Sequence, residues 1–235
     1  MKNLIKSLAV CAVAGSAVHL SATTVTVDPS TFTGGYMVWT PVSTDAAGYG
    51  GNNGGGQGWG LSALPAVFSG STLTISPNVN TFDVSNPNDT YWDNADGSGA
   101  NLMDASIYAT VGNGILASQS VTFTFDVLAN NLSAPYSADA FIKDFGPNYS
   151  YYNGEQTVAL TPGIDSVTYT LTGGDPGEIV QFGFEFIGPD TNPNSAAATA
   201  DTVVISPVAV PEPSSLALLG VGMLGAWRLR RNRAA

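Results

Sequence analysis

The chain has 235 residues, enough for one domain with a sizeable core, and a formal charge of −11 from 18 acidic and 7 basic residues. Two bases lie in the first 22 residues and four after residue 227, so over residues 23–210 Lys143 stands alone against 17 acids, a net charge of −16; such a surface excludes the phosphate neutralisation that nucleic-acid binding needs and disfavours anionic lipid. Cys11 and His19 are the single cysteine and the single histidine, so without residues 1–22 the chain can form no disulfide, no Cys/His zinc site and no Cys-His or Ser-His-Asp machinery.

Residues 1–22 predict a secretory signal. Met1, Lys2 and Lys6 form a positive start, Leu4 to Val18 is mostly apolar, and Ala17 or Ala22 offers a small residue for cleavage. That apolar run is shorter than the roughly 20 residues of a membrane span.

Residues 23–208 predict an extracellular all-β domain. Val121, Phe123, Phe125 and Val127 alternate with polar residues, as do Val167, Tyr169 and Leu171, and then Val180, Phe182, Phe184 and Phe186. This period of two places each set on one face of a strand. Shorter strands are expected over 23–27, 36–40, 58–64, 71–76, 101–110, 139–145, 156–161 and 202–205. Clusters such as Thr161-Pro162-Gly163 and Gly188-Pro189-Asp190 punctuate them. About eleven short strands and no helical period predict a two-sheet antiparallel β-sandwich, jelly-roll-like in topology, with the alternating Val, Phe, Tyr and Leu residues between the sheets. The glycine-rich stretch 49–60 reads as a surface loop, since it lacks the Lys-Ser/Thr of a phosphate-binding loop, with Trp59 anchoring the strand after it.

Candidate sites gather in 86–104. Asp89, Asp93, Asp96 and Asp104 offer the hard oxygens that calcium takes, although the spacing does not fit an EF-hand loop. Tyr91 and Trp92, beside Asp93 and Asp96, could stack on a sugar ring while the carboxylates bond its hydroxyls; they could equally be core residues. Tyr149, Tyr151 and Tyr152 form a second aromatic candidate. Asp201, before the last strand, is a further candidate calcium ligand by fold analogy, meeting Asp28 if the two termini pair. Catalysis could come only from a carboxylate pair drawn from Asp139, Asp144, Glu155, Glu178 and Glu185. Glu185 is expected opposite the apolar face of its strand.

Residues 209–235 close the chain. Pro211, Glu212 and Pro213 impose extended backbone. The uncharged run from Ser214 to Trp227 would make a transmembrane helix of about 21 Å, short against a hydrocarbon core of about 30 Å. Arg228, Arg230, Arg231 and Arg233 follow as a stop that stays cytoplasmic. This motif, apolar run and arginine cluster resemble the sorting tail of the PEP-CTERM family. The resemblance implies an exosortase as processing partner and a transient inner-membrane anchor. Delivery to the cell surface or an exopolysaccharide matrix would follow. The run "SQSVTFTFDVLA" to "EIVQFGFEFIGP" and "ADTVVIS" is similar to the later strands of carbohydrate-binding-module jelly rolls. The expected function is thus a non-catalytic surface or matrix protein, with no enzyme activity and no cofactor other than candidate calcium. A lectin-like module binding extracellular polysaccharide is the alternative, and a carboxylate glycoside hydrolase the distant third.

Overall fold

A computed structural model describes residues 22–26, 28–42, 54–86, 91–94, 96–172 and 175–208. The expected signal segment before Ala22, Asp89, and the sorting tail with Pro211, Glu212, Pro213, Arg228, Arg230, Arg231 and Arg233 lie outside the described residues. Among the described residues no helix is long and apolar enough to cross a membrane.

Among the described residues twelve strands form two six-stranded sheets. Sheet I contains β1 (Ala22–Thr26), β4 (Ala66–Ser69), β5 (Thr72–Ile75), β7 (Ser120–Asn130), β10 (Gly163–Thr170) and β12 (Val203–Ser206). Sheet II runs β3 (Gly55–Gly58), β2 (Gly34–Pro41), β6 (Asn101–Val111), β11 (Ile179–Pro189), β8 (Ser137–Phe145), β9 (Tyr152–Ala159), with every neighbour antiparallel. The expected sandwich is present, with two differences of pairing. β1 pairs β7 in parallel, not antiparallel. The first and last described strands do not pair with each other: β1 takes the Ser120–Thr124 half of one β7 edge, and β12 takes the Asp126–Asn130 half. Asp28 consequently caps its own turn, and Asp201 caps the distant turn at Ser133. Asp28 accepts from Ser30 N at 2.9 Å, and Asp201 accepts from Ser133 Oγ at 2.7 Å.

The glycine-rich stretch also differs from expectation. Gly55–Gly58 is a strand at the edge of sheet II, paired with Tyr36–Trp39, and residues 61–65 turn where a strand over 58–64 was expected. The physical reason is long-range: the Trp39 ring lies against Gly55, where a Cβ would collide with it. Glycine here makes room for an aromatic neighbour rather than for chain motion. Trp59 is half-buried and packs on the core, as an anchor should, but ahead of a turn.

The core is the inter-sheet layer predicted by alternation. Phe123 and Phe125 of β7 face Phe182 and Phe184 of β11, with ring centroids 5.4–5.8 Å apart across the sheets. Val121, Val127, Val167, Leu171 and Phe186 are buried beside them, while Tyr169 is half-buried at the margin. Each such side chain removed from water contributes about 1.5–3 kcal/mol. β11 is exceptional in burying both faces: Val180, Phe182, Phe184 and Phe186 inward, and Gln181, Gly183 and Glu185 outward. A strand at the middle of a solvated sheet should expose its polar face, so something covers the outside of sheet II.

Candidate functional site

What covers it is the side chains of the neighbouring strands. A cleft of about 570 Å³ lies on the outer face of sheet II. The strand register explains its lining. Across β2, β6, β11 and β8 the aligned outward residues run Tyr36, Ser106, Glu185 and Asp139. Four positions along, Gln181, Lys143 and Glu155 align across β11, β8 and β9. Asp104 stands opposite Val38 of β2, and Tyr108 opposite Gly34, where a Cβ would strike the Tyr108 ring. A β-bulge completes the set: β9 shifts register between Asp144 and Phe145, so Tyr152 pairs Phe145 while Glu155 pairs Lys143. Residues an odd number apart thereby reach one face.

Aromatic rings form one wall. Phe145 meets Tyr149 at 5.3 Å, edge-on, and Tyr152 at 5.4 Å. Tyr149 and its neighbour Asn148 both hold positive φ, 58° and 53°, a left-handed conformation that is uncommon for a bulky residue. Gln181 Nε2 donates to the Tyr149 hydroxyl at 3.3 Å, fixing the ring over the cleft. Tyr36 at 40 %, Tyr149 at 53 % and Tyr152 at 53 % exposure present open ring surface.

The floor is charged. Lys143 Nζ lies 2.8 Å from Glu185 Oε2 and 3.8 Å from Glu155 Oε2, donates to Ser106 Oγ at 3.3 Å, and sits 4.2 Å from the Phe141 ring centroid. Burial pushes the Glu185 carboxyl above the usual range, offset by Lys143 and reinforced by Asp104 and Glu155. Asp104 is raised by burial too, with Lys143 opposing and Glu155 and Asp139 adding. Burial and the adjacent Glu155 raise the Tyr152 hydroxyl. One ammonium thus faces several carboxylates.

The residues singled out in 86–104 do not share one rim. Tyr91 and Trp92 are half-buried and packed edge-on at 4.7 Å, Trp92 meets Trp39 at 5.7 Å, and Trp39 Nε1 donates to the Tyr91 hydroxyl at 2.8 Å. Asp93 is buried and accepts from Asp83 N at 3.1 Å. It lines a separate, smaller pocket of about 250 Å³ with Asp83, Asn94, Asn192 and Asn194. Asp96 is exposed and caps its own turn, accepting from Ser98 N at 3.0 Å and from Ser98 Oγ at 2.6 Å; those bonds hold its carboxyl below the usual range. Asp104 belongs to the cleft, and Asp201 to the Ser133 turn. Among the described residues no group of three or more Asp, Glu, His or Cys side chains is placed to hold a metal ion. Of the second aromatic candidate, Tyr149 and Tyr152 reach the cleft, whereas the Tyr151 hydroxyl donates to Asp175. The candidate carboxylates divide as well: Glu155 lines the cleft, Glu185 is buried against Lys143 beneath it with Asp139 nearby, while Asp144 and Glu178 are fully buried elsewhere, Asp144 accepting from Asn153 Nδ2 at 3.1 Å.

Sequence reasoning missed Tyr36, Tyr108, Lys143 and Gln181 as a group. One signal was available: a lone lysine in a stretch of net charge −16, alternating with Phe141 and Phe145 on its strand.

The family model of the PEP-CTERM protein-sorting motif matches residues 209–231. The match supports an exosortase substrate sorted toward the cell surface, and it covers none of the described strands. No curated protein and no solved structure matches the chain.

Proposed function

We propose that this jelly-roll-like sandwich is a non-catalytic carbohydrate-binding module of the cell surface or exopolysaccharide matrix, delivered by its sorting tail and holding polysaccharide across the outer face of sheet II. The observation that carries this reading is the cleft. Three open tyrosine rings surround a floor of amide, hydroxyl and carboxylate groups, and a pyranose needs that combination: apolar C–H faces for stacking and ring hydroxyls for hydrogen bonds. The fixed Tyr149 adds pre-organisation, which lowers the ordering entropy lost on binding.

A glycosidase needs two carboxyls whose environments push them apart, one kept protonated and one ionised. Asp104 and Glu185 are instead pushed in the same direction by the same burial, and Glu185 is tied to Lys143. That favours binding over hydrolysis. A glycan array with the full-length chain in mild detergent tests the reading. Retention of β-linked or α-linked oligosaccharides, lost on Tyr152→Ala, is expected, with no release of reducing ends on prolonged incubation. An array without signal from folded protein would overturn it. Delivery is tested separately: intact mass spectrometry of surface protein should show chains ending near Pro213, and Pro211→Ala with Glu212→Ala should leave uncut protein in the membrane fraction.

A further inference from the structure

The charge balance of the cleft narrows the class of sugar. Asp104 and Glu155 line the cleft, with Glu185 buried beside Lys143 and Asp139 close enough to act on Asp104, and Lys143 is the single base between residues 7 and 227. That base is committed to Glu185 at 2.8 Å and reaches Glu155 only at 3.8 Å. Asp104 lines the cleft, yet its Oδ1 is buried with no hydrogen-bond partner. A desolvated carboxylate in that state is stabilised strongly by a cation and poorly by a neutral hydroxyl.

Candidate ligands divide by charge. A uronate or sulfated sugar would bring another anion beside carboxylates that already repel one another. An N-acetylated sugar would offer one amide N–H. A free-amine sugar would offer an ammonium with three donors. The rings favour the same choice, because the faces of Tyr36, Tyr108 and Tyr152 attract a cation within about 6 Å.

We propose that the cleft selects a free-amine sugar, a unit of de-N-acetylated hexosamine polysaccharide. Its ammonium pairs with Asp104 and Glu155 while its pyranose face lies on Tyr152. The inference rests on the reading of the cleft as a sugar site and adds the ligand's charge. The acidic surface as a whole would also attract any long polycation, so the test uses short oligomers and a control substitution outside the cleft.

Isothermal titration of the full-length chain in mild detergent with glucosamine tetramer, N-acetylglucosamine tetramer and galacturonate tetramer decides the matter. The expected order is glucosamine tightest, by about tenfold or more over the acetylated form, with no galacturonate binding. Asp104→Asn should bring the two amino-sugar forms to within about twofold of each other, whereas Asp96→Asn, on an exposed turn, should leave the ratio unchanged. If Asp104→Asn fails to fold by circular dichroism, Glu155→Gln, at an exposed position, should reduce the ratio instead. Equal or tighter binding of the acetylated tetramer would overturn the amine proposal and leave the sugar reading intact. Loss of preference in Asp96→Asn as strong as in Asp104→Asn would also overturn it, assigning the effect to general surface charge. Failure of all three tetramers to bind folded wild-type protein would overturn the amine proposal, and an empty glycan array beside it would overturn the sugar reading itself.

Discussion

The two faces of β11 are buried to the same degree by opposite means. Inward, Phe182 and Phe184 meet the rings of β7 and Phe186 meets Tyr136, all within the buried apolar cluster. Outward, Gln181 and Glu185 are buried under neighbouring side chains, in contact with the only ammonium of the sandwich. The inner face is organised for stability, because its side chains are apolar and packed against one another in the free protein. The outer face retains desolvated carboxylates with more negative than positive charge, an arrangement that a stability-driven sequence would replace with apolar residues. The contrast locates function: groups held at an energetic disadvantage on a rigid sheet are those a ligand can compensate.

The comparison can be broken most severely from the inside. Phe184→Ala should cost about 3–5 kcal/mol, since it removes the ring that touches Phe32, Phe123 and Phe125 and leaves a cavity between the sheets. Urea unfolding would measure it; a loss below about 1 kcal/mol would mean the inner layer is not the main stabilising contact.

A second effect lies at the end of the same strand. Asp190 is buried, and desolvation, with Asp93 adding and bonds from Asn101 N and Thr81 opposing, raises its carboxyl to about 7. A carboxyl that keeps its proton to higher pH when folded binds more protons in the folded state between its two pKa values. Stability should therefore fall by about 2–4 kcal/mol as pH rises from about 4 to about 7, then level off. Burial also raises Asp104 and Glu185, so their contribution has the same sign. Asp190→Asn should flatten much of this slope in unfolding measured across that range. An unchanged slope in the variant would place the dependence on the cleft carboxyls.

The outer face gives a smaller response. Lys143→Met leaves Glu185 without its partner and should cost about 2–3 kcal/mol at neutral pH, less than a fully buried pair because Lys143 is partly exposed. Adding Glu185→Leu should recover most of that loss. A double variant as unstable as the single one would show that Lys143 acts through packing on Phe141 rather than through charge.

The smallest effect on stability belongs to the rim. Tyr152→Ala removes a half-exposed ring and should change unfolding by about 1 kcal/mol or less, while reducing oligosaccharide affinity by about tenfold. A variant that binds normally would remove Tyr152 from the stacking surface.

Much of the inner face was legible without coordinates. Alternation over Ser120–Val127 and Val180–Phe186 is a local property of side chains that point alternately up and down, and the burial of Phe123, Phe125, Phe182 and Phe184 follows from it. The cleft was legible only in fragments. Tyr149 and Tyr152 drew notice as a cluster, and Asp104 as a carboxylate in a polar stretch, but Tyr91 and Trp92 stood out equally and instead pack together beside Trp39. The bulge that turns Tyr152 and Glu155 to one face breaks the alternation on which such reading depends.

By itself the sequence determined the strand-rich sandwich, its apolar layer, the sorting motif over 209–231, and the exclusion of cysteine and histidine chemistry from the residues beyond the signal segment. These follow from composition, local period and contiguous motif. Only the tertiary structure decided that β1 runs parallel to β7, that Gly55–Gly58 is a strand, and that Tyr36, Asp104, Lys143, Tyr152 and Gln181 share a cleft. Those residues come from five strands spread over some 145 positions of chain. Their meeting depends on inter-strand register, and register is set by the whole core closing at once rather than by any segment's own pattern.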